Sequence, residues 1–143
     1  MAQPDRMLGR PQVELLLHSR LRQADGISSI YAQFEPNGYD GQDADWQGGA
    51  SHSVAGKGSL EVYFTRDQNE NITQQTIDAA TSDAKFDTSR NEFGIRNSEW
   101  YLCGRDTLRP CLMEPYLYEI GLHIPADHEH QFRFNVNTIS GPM

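Results

Sequence analysis

The amino-acid sequence predicts an α+β domain in which a mostly antiparallel sheet packs against an amino-terminal helix. Three observations indicate this fold: an amphipathic segment near the amino terminus, two later segments with strand composition, and a turn sequence that adds a hairpin strand. The chain has 143 residues and no obvious internal repeat, which fits a single domain. Hydrophobic residues make up 37% of it, enough for a packed core.

The first helix is predicted to begin at Pro11, because proline suits the first turn of a helix. Apolar residues then recur at spacings of three and four, which gives one apolar stripe. The stripe consists of Val13, Leu16, Leu17, Leu21 and Ala24. The pair Asp25-Gly26 is expected to end the helix, and residues 1–10 are interpreted as a lead-in.

The strands are predicted from composition and alternation. Residues 27–34 are rich in β-branched and aromatic side chains, and residues 59–66 alternate apolar with polar positions. The turn-forming sequence at 67–71 predicts a hairpin with a weak third strand from Ile72. Between the first two strands, residues 35–58 form a long, glycine-rich connection.

The second half of the chain gives weaker signals for regular structure. Residues 76–87 are expected to form a short helix followed by a loop. Residues 110–120 are predicted to form a further strand. Trp100, Tyr101 and Leu102 form an aromatic cluster between these two segments.

The chain is acidic, with 20 Asp and Glu against 12 Lys and Arg and a net charge of −8. This balance argues against nucleic acid as a partner, because phosphate contacts need clustered basic residues. Only Lys57 and Lys85 are lysines, which excludes a polybasic membrane patch. No apolar run approaches the roughly 18 residues of a membrane span, and no secretory signal is visible after Met1.

No recognised catalytic motif is present, so the sequence predicts a protein that is not an enzyme, with no cofactor and no metal site. Residues 51–53, Ser-His-Ser, place hydroxyls beside an imidazole, but adjacency in a loop does not create a nucleophile and its base. Asp40, Asp43 and Asp45 do not follow the order of a calcium loop and are expected to bond turn amides. The histidines within residues 123–130 match no standard structural metal site.

Cys103 and Cys111 are eight residues apart, which is too wide for a CxxC redox or zinc motif. Gly104 and Pro110 allow a tight loop between them that would bring the two β-carbons near bonding distance. A disulfide would require an oxidising compartment. The spacing therefore leaves two alternatives open, a disulfide and two buried free thiols.

Aromatic residues and arginines are concentrated between residues 96 and 118. They are Trp100, Tyr101, Tyr116 and Tyr118, with Arg96, Arg105 and Arg109 among them. Pockets for small polar molecules commonly combine aromatic walls with a few charged groups. An aromatic wall also suits an amine through cation–π contact. Ordinary core packing is the alternative interpretation of this cluster.

Three motifs in order resemble the double Cache family of sensor domains. Residues 30–43, Ile-Tyr-Ala-Gln-Phe-Glu-Pro-Asn-Gly-Tyr-Asp-Gly-Gln-Asp, are similar to a Tyr-x-x-Phe-Glu-Pro-Asn-x-x-Asp-Gly-x-Asp stretch of that family. Residues 58–64 resemble the strand that follows it. Residues 100–101, Trp-Tyr, and 114–116, Glu-Pro-Tyr, resemble a further signature of the family. The resemblance covers about residues 13–120.

This resemblance implies an extracytoplasmic ligand sensor of the kind found in bacterial chemoreceptors, sensor kinases and cyclic-di-GMP enzymes. The implied fold is a PAS-like antiparallel sheet packed against a long amino-terminal helix, with the ligand against the sheet of the membrane-distal module. The implied location is the periplasmic face of the inner membrane, which favours a Cys103–Cys111 disulfide. The expected partners are a small-molecule ligand (an amine, an amino acid or a small carboxylate) and a second copy that pairs through the amino-terminal helix.

The resemblance also implies ligand contacts at Arg96, Trp100, Tyr101, Tyr116 and Tyr118. Of these, Trp100, Tyr101 and Tyr116 match the pattern of amino-acid-binding members. Trp100 and Tyr101 would form a wall of the pocket, and Tyr116 and Tyr118 would provide hydrogen bonds or cation–π contacts.

The sequence departs from the amino-acid-binding pattern at three positions. Phe93 replaces a tyrosine, Ser98 replaces the carboxylate-binding arginine, and Tyr118 replaces the ammonium-binding aspartate. Arg96 is two residues from the vacant arginine position, so in an extended segment it would face the same side and act as an anionic anchor. Loss of both charged anchors argues against an amino acid as the ligand.

The expected organisation is a lead-in at 1–10, a sensor module at 11–120 and a divergent tail at 121–143. The second module and the membrane helix of the family are absent, so the sequence is interpreted as a fragment with a frameshifted or truncated tail. The leading hypothesis is a sensing module of a chemoreceptor. The alternatives are the sensor domain of a membrane histidine kinase or diguanylate cyclase, and a remnant without activity.

Overall fold

The computed structural model describes residues 7–113, and this part of the chain has the predicted α+β architecture. The elements in chain order are α1 (Arg10–Gln23), β1 (Ser29–Gln33), a short 3-10 helix (Asp43–Trp46), β2 (Glu61–Arg66), β3 (Ile72–Gln74), α2 (Ala79–Ala84) and α3 (Glu99–Thr107). The strands form an antiparallel sheet in the order β1-β2-β3, which confirms the predicted hairpin. No helix within residues 7–113 has the length and hydropathy needed to cross a membrane.

Helix α1 packs on the sheet through a narrow apolar row. Pro11 lies in its first turn, where the missing amide hydrogen is not needed. Val13, Leu17 and Leu21 are buried. Leu16, which the periodicity assigns to the same stripe, is 42% exposed, so that part of the prediction is wrong. The reason is geometric, because Leu16 lies about 100° around the helix from Leu17.

One face of the sheet is apolar and lies under α1. In the β1–β2 register Ile30 is paired with Phe64 and Ala32 with Val62, and these side chains share that face. The buried core cluster contains Val13, Leu17, Leu21, Ala32, Leu60, Val62 and Phe64. The alternation that predicts the strands therefore also selects the face that buries α1.

The opposite face of the sheet is polar and aromatic, and it is also covered. It carries the alternate residues of β1 and β2, which are Ser29, Tyr31, Gln33, Glu61, Tyr63 and Thr65. The side chain of Ser82, in α2, donates to Glu61 at 2.7 Å, and the hydroxyl of Tyr31 donates to the carbonyl of Trp100, in α3, at 3.2 Å. The segment that contains α2 and α3 therefore encloses a polar face.

Two features differ from the sequence-based expectations in the second half. Helix α3 is not predicted, because Trp100, Tyr101 and Leu102 are consecutive and give no helical spacing of apolar residues. Residues 110–113 form no strand, so the described start of the strand predicted at 110–120 is irregular. The rest of that strand and the tail at 121–143 lie outside the described residues.

Candidate functional site

The candidate site lies on the polar face of the sheet, where side chains of the strands meet α3. The rings of Tyr31 and Tyr63, paired across β1 and β2, have centroids 6.1 Å apart. The Trp100 ring lies edge-on to Tyr31 at 5.3 Å, and the Tyr101 ring is 6.0 Å from Trp100. These four side chains, Tyr31, Tyr63, Trp100 and Tyr101, are called the aromatic wall below.

A buried ion pair lies beside the aromatic wall. The Lys85 ammonium bonds Oε1 of Glu61, and the two side chains are 1% and 0% exposed. Lys85 also donates to the carbonyl of Phe34 at 2.9 Å, and the Ser82 hydroxyl donates to the same Glu61 oxygen at 2.7 Å. The ammonium is 5.3 Å from the centroid of the Tyr101 ring. Mutual attraction and these hydrogen bonds offset the cost of removing both charges from water.

Two buried polar atoms of the site have no hydrogen-bond partner in the described part of the chain, Oε2 of Glu61 and Oη of Tyr101. Tyr101 is 6% exposed. Burial raises the pKa of the Tyr101 phenol, and the charge of the nearby Glu35 carboxylate and its interaction with the phenol hydrogen raise it further. A buried polar atom without a partner costs about 1–3 kcal/mol. The enclosed face therefore has hydrogen-bonding capacity that the described residues do not use.

The structure brings together two of the five expected ligand residues. Trp100 and Tyr101 both belong to the aromatic wall. Tyr116 and Tyr118 lie outside the described residues. Arg96 precedes α3, and carboxylates of α3 surround it.

Arg96 is fully engaged with acidic side chains. Its guanidinium donates to both oxygens of Glu99, at 2.6 and 2.9 Å, and to Asp106 at 2.8 Å. These hydrogen bonds raise the pKa of Arg96 and lower the pKa values of Glu99 and Asp106. A carboxylate ligand at Arg96 would have to compete with both of these acids.

Sequence reasoning missed Tyr31, Glu61, Tyr63 and Lys85 as site residues. A signal was present for the first three, because they occupy the positions of predicted strands that alternate with the apolar core positions. No local signal distinguishes Lys85, whose burial results from contacts with residues 24 and 51 positions away.

A second buried network joins α1 to the long connection. The Arg10 guanidinium donates to Asp40 at 2.7 and 2.9 Å and to Asp43 at 2.8 Å. It also donates to the hydroxyl of Ser53 at 3.0 Å and to the carbonyl of Gly58. Burial lowers the pKa of Arg10, but its hydrogen bonds to Asp40 and Asp43 outweigh this effect and raise it overall. Arg10, Asp40 and Asp43 are called the arginine clamp below.

The arginine clamp gives the acidic residues of the connection a role beyond the turn. Asp43 accepts from the amide of Asn37 at 2.7 Å and Asp40 from the amide of Gln42 at 3.0 Å, so the predicted bonds to turn amides are confirmed for these two aspartates. The sequence does not predict that these aspartates bind Arg10, because Arg10 and Asp40 are 30 residues apart. The sequence assigns Arg10 to the lead-in, whereas it begins α1 and is 2% exposed.

The Ser-His-Ser segment at 51–53 belongs to the surroundings of the arginine clamp. Nδ1 of His52 is 2.7 Å from the hydroxyl of Ser53, which also accepts from Arg10. Both residues are buried, and the His52 ring packs edge-on to Trp46 with centroids 4.7 Å apart. The Ser53 hydroxyl therefore fixes the position of charged groups and is not open to a substrate.

Cys103 and Cys111 are joined by a disulfide. Cys103 lies in the last turns of α3, and Leu108 ends that helix in the left-handed conformation at φ 54°. The amide of Leu108 donates to the carbonyl of Gly104 at 2.9 Å. The disulfide thus fixes the end of α3, the helix that carries half of the aromatic wall, to the segment that follows it.

Comparison of the sequence with known proteins points to chemoreceptors. No protein-family model matches the chain. Over 95 residues it is 24% identical to methyl-accepting chemotaxis protein TlpQ of Pseudomonas aeruginosa, a match that covers 66% of this chain and 13% of that protein. The similarity indicates homology to a methyl-accepting chemotaxis protein.

Solved structures with a similar fold include extracellular sensor domains. The extracellular domain of mmHK1S-Z3, assigned as a histidine kinase, matches with a TM-score of 0.53 and 23% identity over 78% of this chain and 34% of that chain. That of mmHK1S-Z2 matches with a TM-score of 0.54 and 18% identity over 77% and 35%. Methyl-accepting Chemotaxis protein X matches with a TM-score of 0.50 and 23% identity over 78% and 35%. The chain therefore spans about a third of each solved relative, with the fold of an extracellular sensor domain.

Proposed function

We propose that this chain is an extracytoplasmic small-molecule sensing module of a bacterial chemoreceptor. The observation that carries the proposal is the enclosed polar face beside the aromatic wall, where Oε2 of Glu61 and Oη of Tyr101 are buried without a hydrogen-bond partner among residues 7–113. Aromatic surroundings with a few polar groups that need partners suit a small polar ligand. Homology to a methyl-accepting chemotaxis protein supports a chemoreceptor as the parent protein.

We further propose that the module is the membrane-distal part of a double Cache domain. The Glu-Pro-Asn and Asp-Gly-Gln-Asp motifs within residues 35–43 support this assignment. The two aspartates of the second motif, Asp40 and Asp43, bind Arg10 in the arginine clamp. The Trp-Tyr pair at 100–101 supports it as part of the aromatic wall. The location that goes with this proposal is the periplasmic face of the inner membrane, and similar folds occur in extracellular domains.

Ligand binding would be transmitted through the sheet to α1. Tyr31 belongs to the aromatic wall, whereas its neighbour Ala32 in the same strand faces α1. A ligand that changes the position of α3 on the sheet would therefore shift the packing equilibrium between the sheet and α1. The arginine clamp ties the amino-terminal end of α1 to the connection between β1 and β2, so the helix is coupled to the sheet at its end as well.

Each expected ligand residue keeps a proposed role. Trp100 and Tyr101 form the wall, and Tyr116 and Tyr118 supply hydrogen bonds or cation–π contacts. Arg96 serves as an anionic anchor only for a ligand that displaces the carboxylates bound to it. The proposed module has no catalytic role and reports the ligand by a change in packing.

The variant Trp100→Ala tests the binding claim. Removal of the Trp100 ring is expected to abolish ligand-induced thermal stabilisation, because Trp100 contacts both Tyr31 and Tyr101. The variant is expected to keep the fold of the wild type. The measurement is the melting temperature of the wild type and the variant with a panel of amines, amino acids and carboxylates, together with far-ultraviolet circular dichroism.

Leu112→Ala is the matched control for that experiment, because Leu112 is 87% exposed and belongs to neither the sheet nor the aromatic wall. Its response to ligands should equal that of the wild type. If no compound of the panel raises the melting temperature of the wild-type chain, the binding claim fails and the chain is the remnant without activity.

The sensor portion of a membrane histidine kinase is the second candidate, and the two matched histidine-kinase domains favour it. A diguanylate cyclase is a further variant of the same proposal. Only the effector distinguishes these candidates from a chemoreceptor, so sequencing of the DNA downstream decides between them. HAMP and methylation helices would indicate a chemoreceptor, and a kinase or GGDEF domain would exclude one.

A homodimer through α1 also stays a proposal. Leu15 is 69% exposed on this helix, and Leu16 beside it is also exposed, so α1 presents apolar surface away from the sheet. Sedimentation equilibrium of the chain tests this proposal, and a monomer at all concentrations would contradict it.

A further inference from the structure

Asn37 and Gly38 form the only Asn-Gly pair in the sequence. An asparagine that precedes glycine is prone to deamidation, because glycine has no β-carbon to hinder its amide nitrogen. That nitrogen attacks the side-chain carbonyl carbon of the asparagine and closes a five-membered succinimide ring. Asn37 is exposed, so the water that completes the reaction can reach it. The chain therefore carries an intrinsically reactive pair that the proposed sensing function does not use.

The folded turn holds both reacting groups of this pair. Asn37 has the left-handed conformation at φ 55°, and its side-chain Oδ1 accepts from the amide of Asp43 at 3.2 Å. The amide of Gly38 donates to the carbonyl of Glu35 at 2.7 Å. The ring can close only if this amide gives up its hydrogen and the peptide group turns toward the side chain. Both hydrogen bonds oppose that movement, so the turn shields Asn37 from deamidation.

The turn requires the same glycine that makes the pair reactive. A β-carbon on Gly38 would lie 2.8 Å from the carbonyl oxygen of Glu35, which is closer than real β-carbon contacts. A bulkier residue at position 38 would protect Asn37 chemically, but it would also disrupt the turn. The protection of Asn37 therefore has to come from the fold.

Asp43 connects Asn37 to the arginine clamp. Its Oδ2 accepts from the backbone amide of Asn37 at 2.7 Å, and its Oδ1 accepts from the guanidinium of Arg10 at 2.8 Å. Arg10 and Asp43 are both buried. If Arg10 moved away, the Asp43 carboxylate would be a buried charge without its partner and would turn toward water. Both hydrogen bonds between Asp43 and Asn37 would then weaken, so the shielding depends on a closed clamp.

We propose that Asn37 is a deamidation site that the arginine clamp shields while it is closed and releases when it opens. In the reaction the Gly38 nitrogen forms a bond to the side-chain carbonyl carbon of Asn37, and ammonia leaves. Water then opens the succinimide at one of its two carbonyls, which gives aspartate or isoaspartate. Water is the only co-reactant, and nothing is oxidised or reduced. The proposal concerns the arginine clamp and is independent of the ligand.

The isoaspartate product would keep the arginine clamp open. It adds one carbon to the backbone at position 37, inside the turn that the Glu35 carbonyl and the Gly38 amide close. It also places a carboxylate beside Asp43, where two like charges repel each other. A transient opening of the clamp would thereby become a permanent change in the attachment of α1 to the connection between β1 and β2.

The first test measures deamidation at Asn37 in the wild-type 143-residue chain, folded in neutral buffer and unfolded in guanidinium chloride. Peptide mapping by mass spectrometry gives the rate, and enzymatic methylation of isoaspartate identifies the product. Asn37 is expected to react at least about tenfold more slowly in the folded chain, because the reaction waits for a local opening. Asn91, which is exposed but precedes Glu92, is the internal control and should stay intact in both samples.

Each outcome of this comparison decides one part of the proposal. Equal rates in the folded and unfolded chains would overturn the shielding, and no reaction at Asn37 in the unfolded chain would overturn the site. Hydrogen exchange of the Gly38 amide adds a quantitative check, since the same opening exposes it. Folding should slow deamidation and this exchange by factors that agree within about threefold. A freely exchanging Gly38 amide beside a protected Asn37 would contradict the role of the turn.

The second test opens the arginine clamp. Arg10→Met is expected to deamidate at Asn37 at least about fivefold faster than the wild type under folding conditions, because the local opening becomes easier. Arg22→Met, at an exposed position in the last turn of α1, is the matched control and should keep the wild-type rate. An unchanged rate in folded Arg10→Met would overturn the dependence on the clamp.

Folding of this variant is controlled separately, since Arg10→Met leaves Asp40 and Asp43 without their counter-charge. The double variant Arg10→Met, Asp40→Asn removes one of these charges together with the arginine. Protection of the Val62 amide from hydrogen exchange reports whether the buried strand β2 stays intact. The double variant is also expected to deamidate faster than the wild type while Val62 stays protected. The comparison on the wild type does not depend on either variant.

The third test examines the product. Chains with isoaspartate at position 37 are separated by ion exchange and compared with Asn37→Asp, the matched control that adds the charge without the extra backbone carbon. The isoaspartate chain is expected to lose at least about tenfold in the protection of the Gly38 amide, whereas Asn37→Asp should lose less. Wild-type protection of this amide in the isoaspartate chain would overturn the claim that the modification keeps the clamp open.

Discussion

At the scale of single residues, one glycine makes the arginine clamp possible. Gly58 has φ +80°, a conformation that disfavours side chains, and its carbonyl accepts from Arg10. A β-carbon at this position would lie 1.7 Å from the carbonyl oxygen of Asp43. Asp43 is itself part of the arginine clamp, so a side chain at position 58 would push apart the backbone that holds the clamp together.

A pair of glycine variants separates this close approach from backbone strain. Gly56 has a similar φ of +83° but open space around the position of a β-carbon. Gly56→Ala is expected to cost about 1–2 kcal/mol of unfolding free energy from strain alone. Gly58→Ala should cost clearly more, because the overlap with Asp43 adds to the strain. Urea denaturation of both variants measures the difference, and equal losses would refute this account of Gly58.

At the scale of elements, α3 depends on tertiary contacts and on the disulfide. The helix has 9 residues, and helices of that length are marginal in isolation. Tyr101 and Leu102 are buried, and the bond from Cys103 to Cys111 fixes the last turn. The position of the aromatic wall therefore depends on an element that the local sequence does not stabilise alone.

The double variant Cys103→Ser, Cys111→Ser tests this dependence. Its unfolding free energy is expected to fall by about 2–3 kcal/mol, since the unfolded chain gains the entropy of an open loop. Denaturation of the wild type with dithiothreitol should give the same loss, whereas dithiothreitol should not affect the double variant. Equal stability of the oxidised wild type and the double variant would show that the disulfide does not support α3.

At the scale of the whole molecule, paired charges are buried on both sides of the sheet. The arginine clamp connects α1 to the connection between β1 and β2, and the Glu61–Lys85 pair lies under α2 and α3. His52 lies beside the arginine clamp through Ser53. The stability of the whole chain should therefore depend on pH through groups that adjust their protonation on folding.

The pH dependence can be predicted in direction. Burial lowers the pKa of His52, the charge of Arg10 lowers it further, and Glu14 and Asp40 oppose this shift. The folded state then binds fewer protons than the unfolded state. The contribution of His52 to the free energy of unfolding is therefore fully present above a pH of about 6.5, and it is lost as the pH falls from that value toward the lower pKa of the folded state. Asp40, whose pKa the Arg10 hydrogen bond lowers, adds a further loss below a pH of about 3.8.

Urea denaturation between pH 8 and pH 5 measures the His52 contribution. The unfolding free energy of the wild type is expected to decrease across this range, and that of His52→Asn to decrease less. An identical slope for both proteins would contradict the assignment to His52.

Much of the fold follows from local patterns that can be read before any contact is known. The spacing of Val13, Leu17 and Leu21 predicts α1, and the alternation of Leu60, Val62 and Phe64 predicts β2, because each pattern has the period of the element that buries it. The same reasoning fails for α3, where three consecutive apolar residues have no period. The helical spacing also assigns Leu16 to the buried stripe of α1, although its side chain is exposed.

The sequence by itself determined the fold class, the face of the sheet that buries α1, the resemblance to a sensor family, and Trp100 and Tyr101 as candidates for its ligand wall. The tertiary structure alone decided which charges meet. Arg10 and Asp40 are 30 positions apart, and Glu61 and Lys85 are 24 positions apart. Local propensity acts over a few residues, whereas the pairing of a buried charge depends on which distant segments packing brings together. This is why only the structure reveals the role of Glu61, whose Oε2 has no partner among the described residues.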